Sequence, residues 1–178
     1  REVAGITNIP SFAVPSNGIG TYVAGAGQAL RLYAERFITK APDKRKNAVN
    51  ILGATPLDFS VNGCVQSMAR RLEEAGFTLQ SVFAMSSSID AIDKAGAAEA
   101  NLVISSVGLP AAKYFQAQFG TPYVIGAPFG DFFSPYVFDA LRESIRTGVP
   151  TDVLGAFAPD APDTIILGES VTAKSLAA

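Results

Sequence analysis

The chain of 178 residues contains no histidine. Histidine is the side chain whose unperturbed pKa lies nearest neutrality, and it is the commonest metal ligand in proteins. Its absence excludes a Ser-His-Asp triad and a histidine-bound metal centre built from this chain alone. Cysteine is nearly absent as well, because Cys64 is the single one. One thiol excludes an internal disulfide and cannot by itself hold a structural zinc ion or an iron–sulfur cluster.

The sequence also lacks an excess of positive charge and any long apolar run. A net charge of −2 and a pI near 5.1 offer no electrostatic footprint for nucleic acid. The short basic cluster Lys40–Lys46 contains Asp43 and is predicted to be a solvated linker. No apolar stretch approaches the ~20 residues that span a bilayer, and no basic start leads into a hydrophobic core as in a signal peptide. We therefore expect a cytoplasmic protein that binds neither nucleic acid nor a membrane.

Apolar residues make up 48% of the chain, which is ample for one buried core in 178 residues and small for two complete domains. The chain does not begin with Met, and Thr164–Ser170 has the pattern of a strand followed by a helix, Val171–Ala178, of about two turns. We infer a fragment of a longer protein. Its predicted divisions are the end of a preceding domain plus a linking helix (1–47), a Rossmann-like α/β domain (48–150), and a linker with the truncated start of a third domain (151–178).

Four short apolar segments alternate with amphipathic segments between Ala48 and Gly130. They start roughly 20 to 30 residues apart, about the length of one strand plus its crossover. This rhythm predicts an α/β fold, a Rossmann-like three-layer α/β/α arrangement with a mainly parallel, doubly wound sheet. The predicted strands are Ala48–Gly53, Thr78–Met85, Asn101–Ser105 and Tyr123–Gly126.

Apolar residues at helical spacing predict five helices around this sheet. Ser87 and Asp90 have the spacing of a capping box at the start of the third helix. Proline suits the first turn of a helix, because its missing donor would be unpaired there. The predicted helices are Thr21–Ile38, a segment from Val61 through Val65, Met68 and Leu72 to a stop at Gly76, Ile89–Ala98, Pro110–Gly120, and Pro135–Thr147.

Chemistry in a parallel sheet is expected on the loops that leave the carboxyl ends of the strands. Here these loops are Gly53–Pro56, Met85–Ser88, Ser105–Gly108 and Gly126–Asp131, and most are rich in Gly, Ser and Thr. Such loops at helix N-termini offer backbone donors to an anion or a negatively charged cofactor. The alternative is that they are ordinary turns and caps. The loop after the first strand fits neither the dinucleotide nor the Walker phosphate-binding spacing.

Two residues near the start of the second helix carry two interpretations each. Cys64 lies in the first turn, where the helix dipole would lower a thiol pKa and favour a functional thiolate. Its alternative role is packing, since free cysteines are among the most buried residues. Asp58 is interpreted as the N-terminal anchor of the same helix, or else as a residue that faces a ligand.

Six short motifs occur in an order and spacing typical of one known family: Ser16–Gly20 with Gly25, Val49–Gly53, Asp58 with Arg71–Gly76, Asn101–Val103, Gln118–Tyr123, and Pro128–Gly130. Together they resemble the middle domain of nitrogenase component 1 type oxidoreductases, and the resemblance covers nearly the whole chain. Ser105 occupies the position at which the catalytic nitrogenase subunit has a cofactor-ligating cysteine. A serine hydroxyl is a poor iron ligand beside a thiolate, so the resemblance does not imply that this chain binds the nitrogenase cofactor.

The resemblance implies a multidomain, oligomeric electron-transfer protein. Members of the family reduce dinitrogen, assemble its cofactor, or reduce tetrapyrrole double bonds. An ATP-dependent iron–sulfur reductase partner delivers electrons through an iron–sulfur or related metal cluster to a cavity that a homologous subunit helps to form. The cluster cysteines of the family lie mostly in a first domain that this chain lacks. The resemblance therefore implies no cofactor held by this chain alone and no activity of the chain in isolation.

On this hypothesis Thr55, Ser87, Ser105, Ser106 and Gly108 line part of a cavity for a cofactor or small-molecule substrate, and the remaining walls come from neighbouring domains. No catalytic residue and no metal ligand is assigned within the chain. The competing hypothesis is a binding module, similar in topology to periplasmic-type sensory domains, that holds a small anion or metabolite at the same loops without catalysis. A flavodoxin-like flavin site is a third possibility, which the first loop disfavours because it is poor in Ser and Thr.

Aromatic residues cluster around one turn, at Phe129, Phe132, Phe133 and Tyr136. Such a cluster could form a contact with another subunit or domain. Because a fragment exposes what its missing neighbours cover, we expect this surface to be partly exposed and the chain to self-associate.

Overall fold

The computed structural model describes residues 6, 11–15, 18–38, 43–59, 62–157 and 165–178. A five-stranded sheet lies at its centre, with strand order β2-β1-β3-β4-β5 and every neighbouring pair parallel. The predicted parallel sheet is therefore confirmed. The strands are β1 (Ala48–Leu52), β2 (Thr78–Val82), β3 (Ala100–Val103), β4 (Tyr123–Ile125) and β5 (Thr151–Asp152).

Helices cover both faces of the sheet, which confirms the predicted three-layer α/β/α arrangement. The helices are α1 (Tyr22–Phe37), α2 (Pro56–Phe59), α3 (Cys64–Glu74), α4 (Ile89–Asp93), α5 (Leu109–Phe119), α6 (Gly130–Thr147) and α7 (Ser170–Ala177), with single 3-10 turns at Ala95–Ala97, Ser106–Gly108 and Val153–Ala156. One apolar cluster joins α3, α6 and α7 to one face, and a second joins α1 and α5 to the other. Within the described ranges, no helix combines the length and the apolar character needed to cross a membrane.

Apolar spacing explains why the predicted helices form where they do. Along α3, Val65, Met68 and Leu72 recur on one face and are buried against the sheet. Thr21 caps α1, since its Oγ1 accepts a hydrogen bond from the backbone N–H of Ala24. Gly120 ends α5 in the left-handed conformation, with φ at 65°, which glycine adopts without a steric cost.

The start of α6 differs from the prediction. The helix begins at Gly130, five residues before Pro135, which therefore lies in its second turn rather than its first. The physical reason is the buried stripe of Phe133, Val137 and Leu141, which continues the apolar face upstream of the proline. Proline thus marked the right helix and the wrong residue for its beginning.

The predicted third helix is shorter and is capped by a different serine. It ends at Asp93, and a separate 3-10 turn follows it. Ser88 is the N-cap, because its Oγ accepts from the N–H of Ala91. Ser87 cannot take part in the predicted capping box, since its Oγ already accepts from the N–H of Val82 at 2.7 Å.

Two predictions near the ends of the sheet also change. Strand β2 stops at Val82 because the chain then turns, with Ala84 and Ser86 at positive φ. Strand β5 was not predicted and lies just beyond the expected domain boundary at residue 150. The strand predicted to begin at Thr164 is absent from its described part, residues 165–169. Thr164 itself lies outside the described residues, as do Ser16, Asn17 and Val61.

A polar ladder crosses three strands inside the fold. The Nδ2 of Asn50 donates to the Oδ1 of Asn101 at 2.8 Å, and the hydroxyl of Ser81 donates to the Oδ1 of Asn50 at 2.7 Å. Asn50 also donates to the carbonyl of Ala95 at 2.9 Å. Because buried polar groups are costly when unpaired, this ladder favours one register of β2, β1 and β3.

Candidate site at the carboxyl edge of the sheet

Strands β1 and β3 lie side by side, and their chains leave the sheet in opposite directions. From β1 the chain proceeds to β2 on one side, and from β3 it proceeds to β4 on the other. In doubly wound sheets this reversal of strand order opens the crevice in which ligands bind. The loops Gly53–Thr55 and Ser105–Gly108 flank that point, so three of the predicted site residues lie in the second loop and Thr55 lies in the first.

The two loops touch through their backbones. The hydroxyl of Ser105 donates to the carbonyl of Gly53 at 2.9 Å, and the N–H of Gly108 donates to the carbonyl of Ser105 at 3.0 Å. A Cβ on Gly108 would lie 2.6 Å from the carbonyl carbon and oxygen of Leu52. Ser105 itself is fully buried. In this structure Ser105 and Gly108 therefore hold the two loops together, and the Ser105 hydroxyl is bonded within the fold.

Thr55 is nearly buried and belongs to a hydrogen-bonded chain that starts on α1. The hydroxyl of Tyr22 donates to the Oγ1 of Thr55 at 2.6 Å, and Thr55 donates in turn to the carboxylate of Asp58 at 2.9 Å. Tyr22 was not predicted from the sequence. Its side chain ties the first helix to the loop after β1, so α1 forms one wall of the crevice.

The interpretation of Asp58 as the anchor of α3 is wrong. Asp58 lies in α2, and its carboxylate accepts from Thr55. The N-cap of α3 is Gly63, with φ at 88° and no side-chain cap. Asn62 accepts from the N–H of Cys64 at 3.1 Å instead. A short extra helix separates Asp58 from α3, and sequence spacing alone did not reveal it.

Ser106 binds a carboxylate that belongs to the same chain. Its backbone N–H donates to Oε1 of Glu169 at 2.8 Å, and its hydroxyl donates to the same oxygen. The second oxygen of Glu169 accepts from the N–H groups of Val171 and Thr172. Sequence reasoning predicted an anion at this loop and missed Glu169, which lies 63 residues further along the chain.

Opposing effects set the pKa of the Glu169 carboxyl. Partial burial raises it, because burial penalises the charged form. Hydrogen bonds from Ser106, Thr172 and Ser170 lower it and together outweigh burial, so the pKa lies below its ordinary value. Glu169 is therefore a carboxylate at neutral pH, and the start of the 106–119 helical segment is already occupied by a negative charge.

Ser87 lies apart from the other predicted site residues. It follows β2, and β1 separates β2 from β3 in the sheet. The structure therefore brings together Ser105, Ser106 and Gly108, with Thr55 on the facing loop. The assignment of these residues to a ligand cavity stays a prediction.

Two cavities adjoin these loops. A cleft of about 520 Å³ runs between α1 and α5, and a smaller one of about 150 Å³ lies between α7 and the ends of β3, β4 and β5. Of the predicted site residues, Ser106 lines both of these cavities and the others line neither. The larger is lined by Arg31, Glu35, Ser106, Leu109, Lys113 and Tyr114, among others.

The donor atoms of this chain do not fit an iron–sulfur cluster, which requires several thiolates. The chain supplies one thiol and no imidazole. Cys64 packs against the apolar cluster of α3 and α6, and burial raises the pKa of its thiol. This packing supports the structural interpretation of Cys64 over the thiolate one. Across the described segments, no group of three or more Cys, Asp or Glu side chains is placed to hold a metal ion.

Comparison with known proteins identifies the family. A sequence model described as nitrogenase component 1 type oxidoreductase matches residues 1–153. The chain belongs to this family. The match confirms the resemblance inferred from the six motifs, and it includes the whole sheet as far as the first residue after β5.

The nitrogenase-like chain is also similar to curated proteins that are named as one of the subunits of light-independent protochlorophyllide reductase. The protein from Nostoc punctiforme is 34% identical over 86 residues, which is 48% of this chain and 17% of the relative. The protein from Chloroflexus aggregans is 30% identical over 130 residues, which is 71% of this chain and 24% of the relative. The aligned part of the chain thus spans a quarter or less of the length of these relatives.

Proposed function

We propose that the chain is the Rossmann-like domain of a nitrogenase-like oxidoreductase subunit, in which the carboxyl-edge loops form one wall of a metal-cluster or substrate cavity. The match of the family over residues 1–153 carries this proposal. The position of the loops supports it, because they lie at the point of the sheet where ligand crevices form. The division into 1–47, 48–150 and 151–178 and a cytoplasmic location are parts of the same proposal.

The loop geometry supports a contribution to a shared site rather than a complete one. The hydroxyls of Thr55, Ser105 and Ser106 are bonded to Asp58, Gly53 and Glu169, respectively. These groups orient the loops and exclude water from the crevice. Since the chain carries one thiol, thiolate ligands for a cluster have to come from other segments or subunits.

The proposed partners are a homologous subunit and an ATP-dependent iron–sulfur reductase that supplies electrons. The names of the relatives point to a substrate class, since they are reductases of protochlorophyllide. We propose a tetrapyrrole of this kind as the first small-molecule substrate to test.

The test is anaerobic analysis of the longest gene product that contains this chain, purified with any subunit encoded beside it. Iron with acid-labile sulfide and an absorption band near ~400 nm, as thiolate-held clusters give, would support the reductase. Light-independent reduction of protochlorophyllide with the reductase partner and ATP would then identify the substrate. Metal-free, colourless protein from a careful anaerobic preparation would instead favour the small-anion binding module.

The cavity wall has a separate test in the same preparation. Replacing both Ser105 and Ser106 with Ala should lower ligand binding or turnover, while Ser67→Ala on α3 should leave both unchanged. Circular dichroism checks that each variant is folded. Full binding and turnover by the folded double variant would contradict the placement of these serines in the cavity.

A further inference from the structure

Helix α7 lies across the carboxyl ends of β3 and β4. The hydroxyl of Ser175 accepts from the N–H of Ala127, two residues beyond β4, at 2.9 Å. The hydroxyl of Thr172 donates to the carbonyl of Ile104, directly after β3, at 3.5 Å. Side chains of α7 thus bond backbone groups that parallel sheets commonly offer to a ligand.

A single carboxylate joins α7 to the loop beneath it. Glu169 accepts from two N–H groups of its own helix and from the N–H and hydroxyl of Ser106. The N-termini of α7 and of the 106–119 segment therefore converge on one negative charge. Helix dipoles place positive partial charge at both ends, so the carboxylate stabilises both helices at once.

The other anchors of α7 are few. Val171 and Ser175 are its buried side chains, whereas Leu176 is 55% exposed. Leu167, just before the helix, is 91% exposed. A helix with little buried apolar surface opens more readily than the sheet core, where β1 is buried throughout.

Beneath α7 lies the cavity of about 150 Å³ at the ends of β3, β4 and β5. Its walls include Val103 and Ile125 from the sheet and Val171 and Lys174 from α7. Removing α7 would therefore open this cavity and uncover the N–H groups of Ser106 and Ala127.

We propose that α7 is a strap that opens as a unit over the carboxyl edge of the sheet, and that the Glu169 carboxylate is its latch. The closed strap covers the backbone donors of the loops after β3 and β4. The open strap makes them accessible while the sheet stays folded. This proposal does not depend on the reductase function, because it concerns an opening of the chain itself.

Hydrogen exchange followed by mass spectrometry tests the latch on the 178-residue chain. In Glu169→Gln, the amides of residues 170–177 and of Ser106 and Ala127 should exchange faster by roughly 10- to 100-fold, the range that corresponds to losing charge-assisted hydrogen bonds. Exchange in β1 should be unchanged. Glu143→Gln is the control, since Glu143 is a surface carboxylate paired with Arg146 on α6.

Two results would overturn the proposal. Unchanged exchange of α7 in Glu169→Gln would show that the carboxylate is not a latch. Faster exchange of β1 together with α7 would show that the helix is an integral part of the core. If the variant does not fold, exchange of the unaltered chain in low denaturant decides: a strap predicts weaker dependence on denaturant for α7 amides than for β1 amides, and equal dependence refutes it.

Discussion

Replacing Gly108 with alanine tests whether the loops after β1 and β3 must touch. The added Cβ would lie 2.6 Å from the carbonyl carbon and oxygen of Leu52 and 2.9 Å from the nitrogen of Gly53. Non-bonded carbon atoms prefer about 3.5–4.0 Å, so the overlap is roughly 1 Å. The φ of Gly108 is −75°, which alanine adopts readily. Any destabilisation therefore reports the close approach and not the backbone conformation.

The clashing atoms belong to the backbone of a central strand and its loop, so no flexible side chain can move aside. Overpacking a core costs about 1–3 kcal/mol, and we expect Gly108→Ala to lie near the upper limit of that range. For a chain of this size, about 3 kcal/mol corresponds to a fall of roughly 6–12 °C in the melting temperature. The free energy of unfolding would be measured by urea denaturation, followed by circular dichroism.

Gly25→Ala is the matched control. Gly25 lies inside α1, and a Cβ built on it meets nothing within 4 Å. Alanine in a helix interior is more favourable than glycine by about 0.5–1 kcal/mol, so this variant should be slightly more stable than the unaltered chain. If Gly108→Ala matched Gly25→Ala in stability, the inferred contact between the two loops would be refuted.

Two further predictions concern charge and exposed aromatic surface. Because the folded-state pKa of Glu169 is lowered, its stabilisation is fully present above the ordinary glutamate pKa near ~4.3 and is lost as the pH falls from there through the lowered value. The difference in urea midpoint between the unaltered chain and Glu169→Gln should thus be constant from pH 7 to about 5.5 and shrink below that, and a difference that grows on acidification would contradict the assignment. Phe132 and Tyr136 are 65% and 47% exposed, so replacing both with Ser should reduce self-association in light scattering and binding of an apolar dye, whereas Leu57→Ser on α2 should not. A strictly monomeric unaltered chain that binds no dye would contradict this prediction.

Periodicity predicted most of the helices and strands of this fold. The stripe Val65, Met68 and Leu72 requires one buried face, and a helix is the conformation that provides it. The strands that were predicted are short apolar runs bounded by turn residues, which local sequence specifies well. Strand β5 escaped prediction because it has two residues and no apolar pattern of its own. Its pairing with β4 forms only once the sheet exists.

The candidate site was predictable only as a set of loops. Parallel topology places the residues after β1 and β3 at one edge, so Thr55, Ser105 and Ser106 could be chosen from the sequence. The partners of these residues could not be chosen, since Tyr22 lies 33 residues from Thr55 and Glu169 lies 63 residues from Ser106. No local pattern relates residues that far apart.

The sequence by itself determined the α/β class, the family and the exclusion of histidine chemistry, because these depend on residue types and on the order of short motifs. The tertiary structure alone decided what each polar group of the site is bonded to. It showed that Ser105 joins two loops and that the anion expected at Ser106 is the carboxylate of Glu169. The physical reason is that hydrogen bonds and close contacts depend on distances between segments, and folding sets those distances only when the sheet and α7 pack together.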